Sequence, residues 1–199
     1  MPVGFYGTLL DLPTQCKTMP AIIPAIENRA QLLRAFDTPQ VGAVLLRHCN
    51  LFELAGLLER AHQRKIGTYV NIDSIDGIHA DNAGLRYLAE RLSITGVVSN
   101  HPRVLSAGKG FGLETIQRIF ALDSTGLEAT LQSVDATYVD LLDISPGLVI
   151  PHIMPQLRVL LPRPFIASGL IQTSEQIQTI LHAGACGVVV ARNDLWTYN

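Results

Sequence analysis

The chain has 199 residues, the length of one domain or of two small ones. Apolar residues make up 48% of the sequence and charged residues only 16%, which excludes a disordered chain and favours a large buried core. The net charge is −2 and the only lysines are Lys17, Lys65 and Lys109, so no basic patch for coating nucleic acid is visible. Any RNA contact must therefore be local or conditional, or must depend on oligomerisation.

The cysteines and histidines point to neither a disulfide framework nor a metal site. Cys16, Cys49 and Cys186 have no paired spacing, and the 6 histidines have no metal-ligand spacing. The first residues lack the pattern of a secretory signal, and no apolar stretch approaches the roughly 18 residues of a membrane span. We expect a cytoplasmic protein without cofactor or membrane contact, in which residues 1–20 are an N-terminal extension and residues 21–199 a single domain.

Short, mostly apolar runs recur along the chain, and many of their residues are β-branched. They cover residues 21–26, 41–46, 66–73, 95–100, 115–123, 138–144, 164–171 and 187–192. Nearly continuous apolar character is typical of parallel strands that are buried on both faces, whereas half-exposed strands alternate apolar and polar residues. These runs therefore predict eight buried parallel strands.

Amphipathic stretches lie between the runs. Residues 51–64 and 174–183 carry apolar side chains at helical spacing. Thr173 or Ser174 can cap the second of these helices, and Gly184 can end it. Weaker helical patterns occupy residues 82–92 and 124–131.

Strands that alternate with helices predict parallel βαβ units, and eight such units in one domain predict an α/β fold, a compact (β/α)8 TIM barrel. The barrel must be compact because such folds begin at about 200 residues. An open, doubly wound sheet of the flavodoxin or Rossmann type is the alternative. It is disfavoured because no G-x-G-x-x-G motif follows the first run.

In such a barrel the functional site is built by the loops at the carboxyl ends of the strands. Asp73, Arg118 and Asp143 lie within or at the end of strands that should be buried. Because an unpaired buried charge is costly, one interpretation is that Arg118 forms an internal ion pair with one aspartate. Such a pair can also orient the hydroxyl groups of a ligand.

The ends of the seventh and eighth runs are candidates for binding a phosphate group. TIM barrels often hold phosphate in these two loops. Gly169 allows the backbone to approach an anion, and Arg192 can donate two charge-assisted hydrogen bonds. Asn193 or Asp194 can begin a short helix there. The alternative is that Gly169 serves only the local turn.

Several segments, in this order and spacing, resemble one known family. They are IPAIEN (23–28), NIDSIDGI (71–78), TIQRIFALDS (115–124), LDISPG (142–147), SGLIQT (168–173) and NDLW (193–196). From Ile22 to about Trp196 the chain resembles the glycerol-3-phosphate-responsive antiterminators, also described as glycerol uptake operon antiterminator regulatory proteins. The run TIQRIFALDS is the most specific of these segments.

The resemblance implies a TIM-barrel regulator that senses glycerol 3-phosphate and acts on the leader mRNA of glycerol-utilisation genes to prevent premature termination. It implies no enzymatic activity. Carried over residue by residue, it implies ligand-binding roles for Asp73, Gln117, Arg118, Asp143 and Gly169. The reading of the strand ends adds Gly147, Ser168 and Arg192 to this candidate set.

This chain departs from the family pattern at the two predicted phosphate loops. Relatives usually have glycine where this chain has Ser168. They usually have a Thr/Ser-Ser-Asn run where this chain has Val190, Ala191 and Arg192, and Arg192 would then replace the missing hydroxyl groups. At Asp143 relatives more often have glutamate.

Three functions follow as hypotheses, with a homodimer left open in each. In the first, a sensor holds the phosphate of glycerol 3-phosphate or a similar ester with Gly169, Ser168 and Arg192, while Asp73 and Asp143 accept hydrogen bonds from its hydroxyl groups. The alternative is an enzyme acting on a small phosphorylated sugar with one of these aspartates as general base. A Schiff-base lysine is missing at the strand ends. The third hypothesis is an interaction module that has lost its ligand.

Overall fold

The computed structural model of the protein describes residues 21–161 and 163–197, so the N-terminal extension predicted for residues 1–20 lies outside the described residues. The strands are β1 Ala21–Ile26, β2 Ala43–Leu46, β3 Gly67–Asn71, β4 Gly96–Ser99, β5 Glu114–Phe120, β6 Leu141–Ser145, β7 Phe165–Ser168 and β8 Gly187–Val190. The helices are α1 Arg29–Phe36, α2 Leu51–Gln63, α3 Asn82–Arg86, α4 Pro102–Gly110, α5 Ser124–Gln132, α6 Ile150–Leu160 and α7 Ser174–His182. A π-helical turn, Tyr87–Arg91, continues α3, and short 3-10 turns occupy Ile72–Ser74, Gly147–Val149 and Asn193–Leu195.

The eight strands form a closed parallel barrel in chain order, which confirms the predicted (β/α)8 fold. The ring closes where β8 pairs with β1, with Ile22 opposite Val188 and Pro24 opposite Val190. Closure leaves no strand edge, so the open-sheet alternative is wrong. Because all strands run in the same direction, their carboxyl ends gather the loops at one end of the barrel.

Side chains alternate between the inside of the barrel and the layer under the helices. The inner cluster consists of ten buried residues, namely Ile23, Ala25, Ala43, Leu45, Tyr69, Val98, Ile116, Leu141, Ile166 and Val189. A larger cluster joins the outer faces of the strands to the helices. This division explains why the strands read as nearly continuous apolar runs, since both of their faces are covered.

The two clearest helix predictions are confirmed at residue level. On α2, Leu54, Leu58 and Ala61 are all buried. Helix α7 begins with a capping box, in which the Thr173 side chain accepts from the main chain of Gln176 and the Gln176 side chain accepts from Thr173.

The predicted strand ends were too long where apolar character continues into a turn. The fifth run extends to Asp123, but β5 ends at Phe120, and Asp123 caps α5 by accepting a hydrogen bond from the Gly126 main chain. The third run extends to Asp73, whereas β3 ends at Asn71. Within the part of the chain described here, no helix combines the length and apolar character needed to cross a membrane.

Candidate functional site

A cavity of about 420 Å³ opens at the carboxyl end of the barrel, where β1 is flanked by β2 and β8 and where the loop after β7 arrives. Its volume falls in the range of small-molecule sites. Its lining brings two arginines together with one glycine-containing loop. The lining residues are Ala25, Arg47, Gly169, Leu170, Ile171, Gln172, Val189, Ala191 and Arg192.

The loop after β7 has a backbone conformation that requires glycine at its first position. Gly169 has φ +83°, and the next residue, Leu170, has φ +60°. A Cβ atom added to Gly169 would lie 2.7 Å from Ser145 Oγ, which is too close. Gly169 therefore shapes this turn, and its contact with a phosphate stays a prediction.

Three main-chain N–H groups of this loop donate no hydrogen bond to the described part of the protein. Among the described residues, none accepts a hydrogen bond from the N–H of Gly169, Leu170 or Ile171. The Gly169 carbonyl accepts one from the N–H of Gly147 at 3.2 Å. Gly147 thus supports the loop from below, and a Cβ atom there would meet Ile171 Cδ1 at 2.9 Å.

Arg192 lies at the cavity as predicted, but its guanidinium group is already paired. Its Nε and Nη2 donate to the two carboxylate oxygens of Asp194 at 3.1 and 2.7 Å. The hydrogen bond from Arg192 is the main cause that lowers the pKa of Asp194. Both side chains are more than half exposed, at 53% and 60%, so this pair is weak.

Arg47, at the end of β2, is the cavity residue that the sequence prediction missed. Its Nη2 forms an ion pair with Glu27 Oε1 at 2.8 Å. Its Nε is buried and has no hydrogen-bond partner among the described residues. The signal was present, since a charged residue directly follows the apolar run VGAVLL. The sequence alone did not show which neighbour the side chain would meet.

The predicted internal ion pair is confirmed as Arg118 with Asp143. Arg118 Nε and Nη2 donate to Asp143 Oδ2 at 2.8 and 2.7 Å. Asp143 is fully buried, and its Oδ1 has no partner among the described residues. Arg118 shares a face with Ile116, and Asp143 with Leu141, so strand alternation places the pair inside the barrel. Ser145, which ends β6 two residues beyond Asp143, lies against the Gly169 loop.

Of the eight predicted residues, Gly169 and Arg192 line the cavity, whereas Asp73, Gln117, Arg118, Asp143, Gly147 and Ser168 are not among its lining residues. Gln117 is buried, but it neighbours Arg118 in β5 and therefore faces the helices instead of the barrel interior. Asp73 is bound within its own end of the barrel, where its carboxylate accepts hydrogen bonds from Ser99 Oγ at 2.8 Å and from the Asn100 N–H at 2.9 Å. Ser168 ends β7, buried at 3% exposure, directly before the cavity loop.

Metal-ligating side chains do not cluster in residues 21–161 and 163–197, where no group of three or more His, Cys, Asp or Glu could hold an ion. The charged groups around the cavity are arginine–carboxylate pairs instead. Such an arrangement suits an anionic ligand that exchanges for a carboxylate on a guanidinium group.

A sequence model of one protein family, the glycerol-3-phosphate responsive antiterminators, matches residues 22–196. The chain belongs to this family. This antiterminator-family chain is similar to a glycerol uptake operon antiterminator regulatory protein from Listeria monocytogenes, with a TM-score of 0.82, 22% identity, and coverage of 92% of this chain and 98% of the other. It is also similar to a glycerol uptake operon antiterminator-related protein from Thermotoga maritima, with a TM-score of 0.76 and 22% identity. That match covers 90% of this chain and 99% of the other.

A curated relative of this family member is the Escherichia coli protein YgcP, itself uncharacterised. It is 20% identical over 176 residues, which are 88% of this chain and 91% of YgcP. The fold is also shared by enzymes at lower identity, among them a tryptophan synthase chain and an N-acetylmannosamine-6-phosphate 2-epimerase. At these identities the solved structures establish the fold of the antiterminator-family chain and nothing about its ligand.

Proposed function

We propose that the protein senses glycerol 3-phosphate, or a similar small phosphate ester, and controls glycerol-utilisation genes by antitermination on their leader mRNA. The observation that carries this proposal is the cavity at the carboxyl end of the barrel. Its lining includes residues 169–171, whose N–H groups donate no hydrogen bond to the described residues, and Arg192. Family membership supports the regulatory part of the proposal.

The phosphate would lie against the loop after β7. Backbone N–H groups that converge on a concave surface bind anions, and Gly169 lets an oxyanion come close to the main chain. Ser168 and Gly147 hold this loop in position from the end of β7 and from the turn after β6. Arg192 would leave Asp194 and donate to the phosphate.

The glycerol part would point into the barrel, towards Arg118 and Asp143. Arg118 directs two of its nitrogens to Asp143, so the third, Nη1, is available for a ligand oxygen. Asp143 Oδ1 adds an unused acceptor at the same place. We assign the hydroxyl end to this pair in preference to Asp73, whose carboxylate is already used by the loop after β4.

A regulator is favoured over an enzyme by the side chains at the barrel mouth. Among the described residues, no lysine lies at a strand carboxyl end, because Lys65 follows α2 and Lys109 lies in α4 and pairs with Asp140 at 2.6 Å. Asp143 is engaged twice by Arg118 and is shielded from solvent, which makes it a poor general base. We infer that ligand binding shifts a pre-existing equilibrium towards an RNA-competent form, with catalysis playing no part.

The direct test is calorimetric titration of the full chain with glycerol 3-phosphate, followed by Arg192→Ala. Saturable heat that weakens about tenfold or more in the variant is expected, as for the loss of a charge-assisted hydrogen bond. In vitro transcription through a terminator in the leader should then show more read-through when protein and ligand are both present. If millimolar glycerol 3-phosphate produced no heat and no thermal shift, it would be rejected as the effector.

A further inference from the structure

Two arginines face the same cavity from opposite sides of β1. Arg47 follows β2 and Arg192 follows β8, and β1 pairs with both of these strands. Ala25, a small inward-facing residue of β1, lies between them in the lining. One arginine therefore follows the strand on each side of β1, and the Gly169 loop follows β7, the next strand beyond β8.

Each of these arginines is held by a carboxylate of its own. Glu27, just past the end of β1, forms an ion pair with Arg47 at 2.8 Å, and Asp194 accepts a hydrogen bond from Arg192 at 2.7 Å. All four side chains retain contact with solvent, with exposures of 23%, 40%, 53% and 60% for Arg47, Glu27, Arg192 and Asp194. Two cations and two anions leave this group neutral, so an entering anion must displace the carboxylates.

We propose that Arg47 and Arg192 clamp the phosphate dianion from two sides, and that Glu27 and Asp194 are internal competitors for the same two arginines. This inference rests on the proposed function, because it places a phosphate group in the proposed cavity, and it names residues that hold and tune that ligand. The carboxylates keep the arginines in place in the empty site. They also lower the affinity for phosphate by the strength of the ion pairs that must be broken.

The exchange favours phosphate for two reasons. Solvent-exposed ion pairs are weak, so they give way at small cost. A phosphate dianion meets two guanidinium groups at once and offers three acceptor oxygens. Arg47 brings a further donor, because its buried Nε has no partner among the described residues. This Nε would become available to an anion when the Arg47 side chain turns away from Glu27, and the anion would then use it together with Nη2.

The test is calorimetric titration of the full chain with glycerol 3-phosphate and separately with inorganic phosphate. Glu27→Gln and Asp194→Asn should each bind both ligands about two- to fivefold more tightly, because an exposed competing ion pair is lost. Arg47→Gln should bind both at least tenfold more weakly. Asp76→Asn is the matched control, since it removes an exposed carboxylate from the loop after β3 and should leave both affinities within about 1.5-fold.

A gain in affinity separates this mechanism from simple damage to the fold, since a misfolded variant only loses binding. Unchanged or weaker binding by both Glu27→Gln and Asp194→Asn overturns the proposal. An equal gain in Asp76→Asn also overturns it, because the effect would then be one of net charge. If Arg47→Gln binds glycerol 3-phosphate like the unmodified chain, the clamp is refuted while the sensor function stands. If only inorganic phosphate binds, with the expected pattern, the clamp stands and the sensor function is refuted.

Discussion

Replacing Gly169 with alanine tests the loop on which the proposed site depends. At φ +83° an alanine costs about 1–2 kcal/mol relative to an ordinary backbone conformation. The added Cβ would also lie 2.7 Å from Ser145 Oγ. Overpacking of this kind costs about 1–3 kcal/mol, and the lower end applies because a serine hydroxyl can rotate. We therefore expect Gly169→Ala to lower the free energy of unfolding by about 2–3 kcal/mol.

Urea unfolding followed by circular dichroism measures this loss, and calorimetry should show at least tenfold weaker binding of glycerol 3-phosphate. Gly56→Ala is the control, since Gly56 lies in α2 with nothing within 4 Å of an added Cβ. That variant should gain about 0.5–1 kcal/mol from helix propensity. Adding Ser145→Ala to Gly169→Ala should recover the steric part of the loss. A Gly169→Ala protein as stable as the unmodified chain would refute the reasoning.

Three further predictions concern the core and the helices. Asp143→Leu should lower the free energy of unfolding in urea by about 3–5 kcal/mol, because Arg118 is left inside the barrel without its partner. Adding Arg118→Met should restore most of this loss. If the double variant recovers nothing, the loss does not come from the unpaired charge. Burial raises the pKa of the Cys49 thiol from 9.0 to about 11, so the folded state holds this proton more tightly, and the free energy of unfolding should fall between about pH 9 and 11. This fall should be shallower in Cys49→Ala, and equal slopes would contradict the assignment. Thr173→Ala should cost about 1 kcal/mol in thermal unfolding through loss of the capping box, whereas Thr179→Ala, on the same helix but away from its start, should cost less.

The fold could be predicted because two kinds of sequence pattern, continuous apolar runs and helical spacing, alternate along the chain. Runs apolar on both faces alternate with helical stretches such as α2, and a closed barrel covers both faces of every strand. Strand ends were less predictable, because apolar residues continue into loops where another residue sets the boundary. Asp123 is such a residue, since its side chain begins a helix within what the pattern alone predicts as strand.

The site was only partly predictable because sequence spacing does not say which side chains satisfy one another. Gly169 and Arg192 could be identified, since the loops after the last two strands meet in any barrel of this type. Gln117 was assigned beside Arg118, although adjacent strand residues face opposite sides. Asp73 was assigned to the ligand, but Ser99 uses its carboxylate. Arg47 was missed because its position over the cavity depends on β1 and β2 becoming neighbours.

The pairing of β8 with β1 has a consequence for when a ligand can be recognised during synthesis of the chain. Ala25 lies in the first strand, whereas Gly169 and Arg192 follow the seventh and eighth strands. A growing polypeptide on the ribosome therefore has no complete pocket until the eighth strand has emerged and paired with the first. Trp196 then links the last turn to the end of β8, because its indole Nε1 donates a hydrogen bond to the Val190 carbonyl at 3.0 Å. A metabolite bound at this junction holds the first and last strands together, and it should slow their separation more than that of any other neighbouring pair.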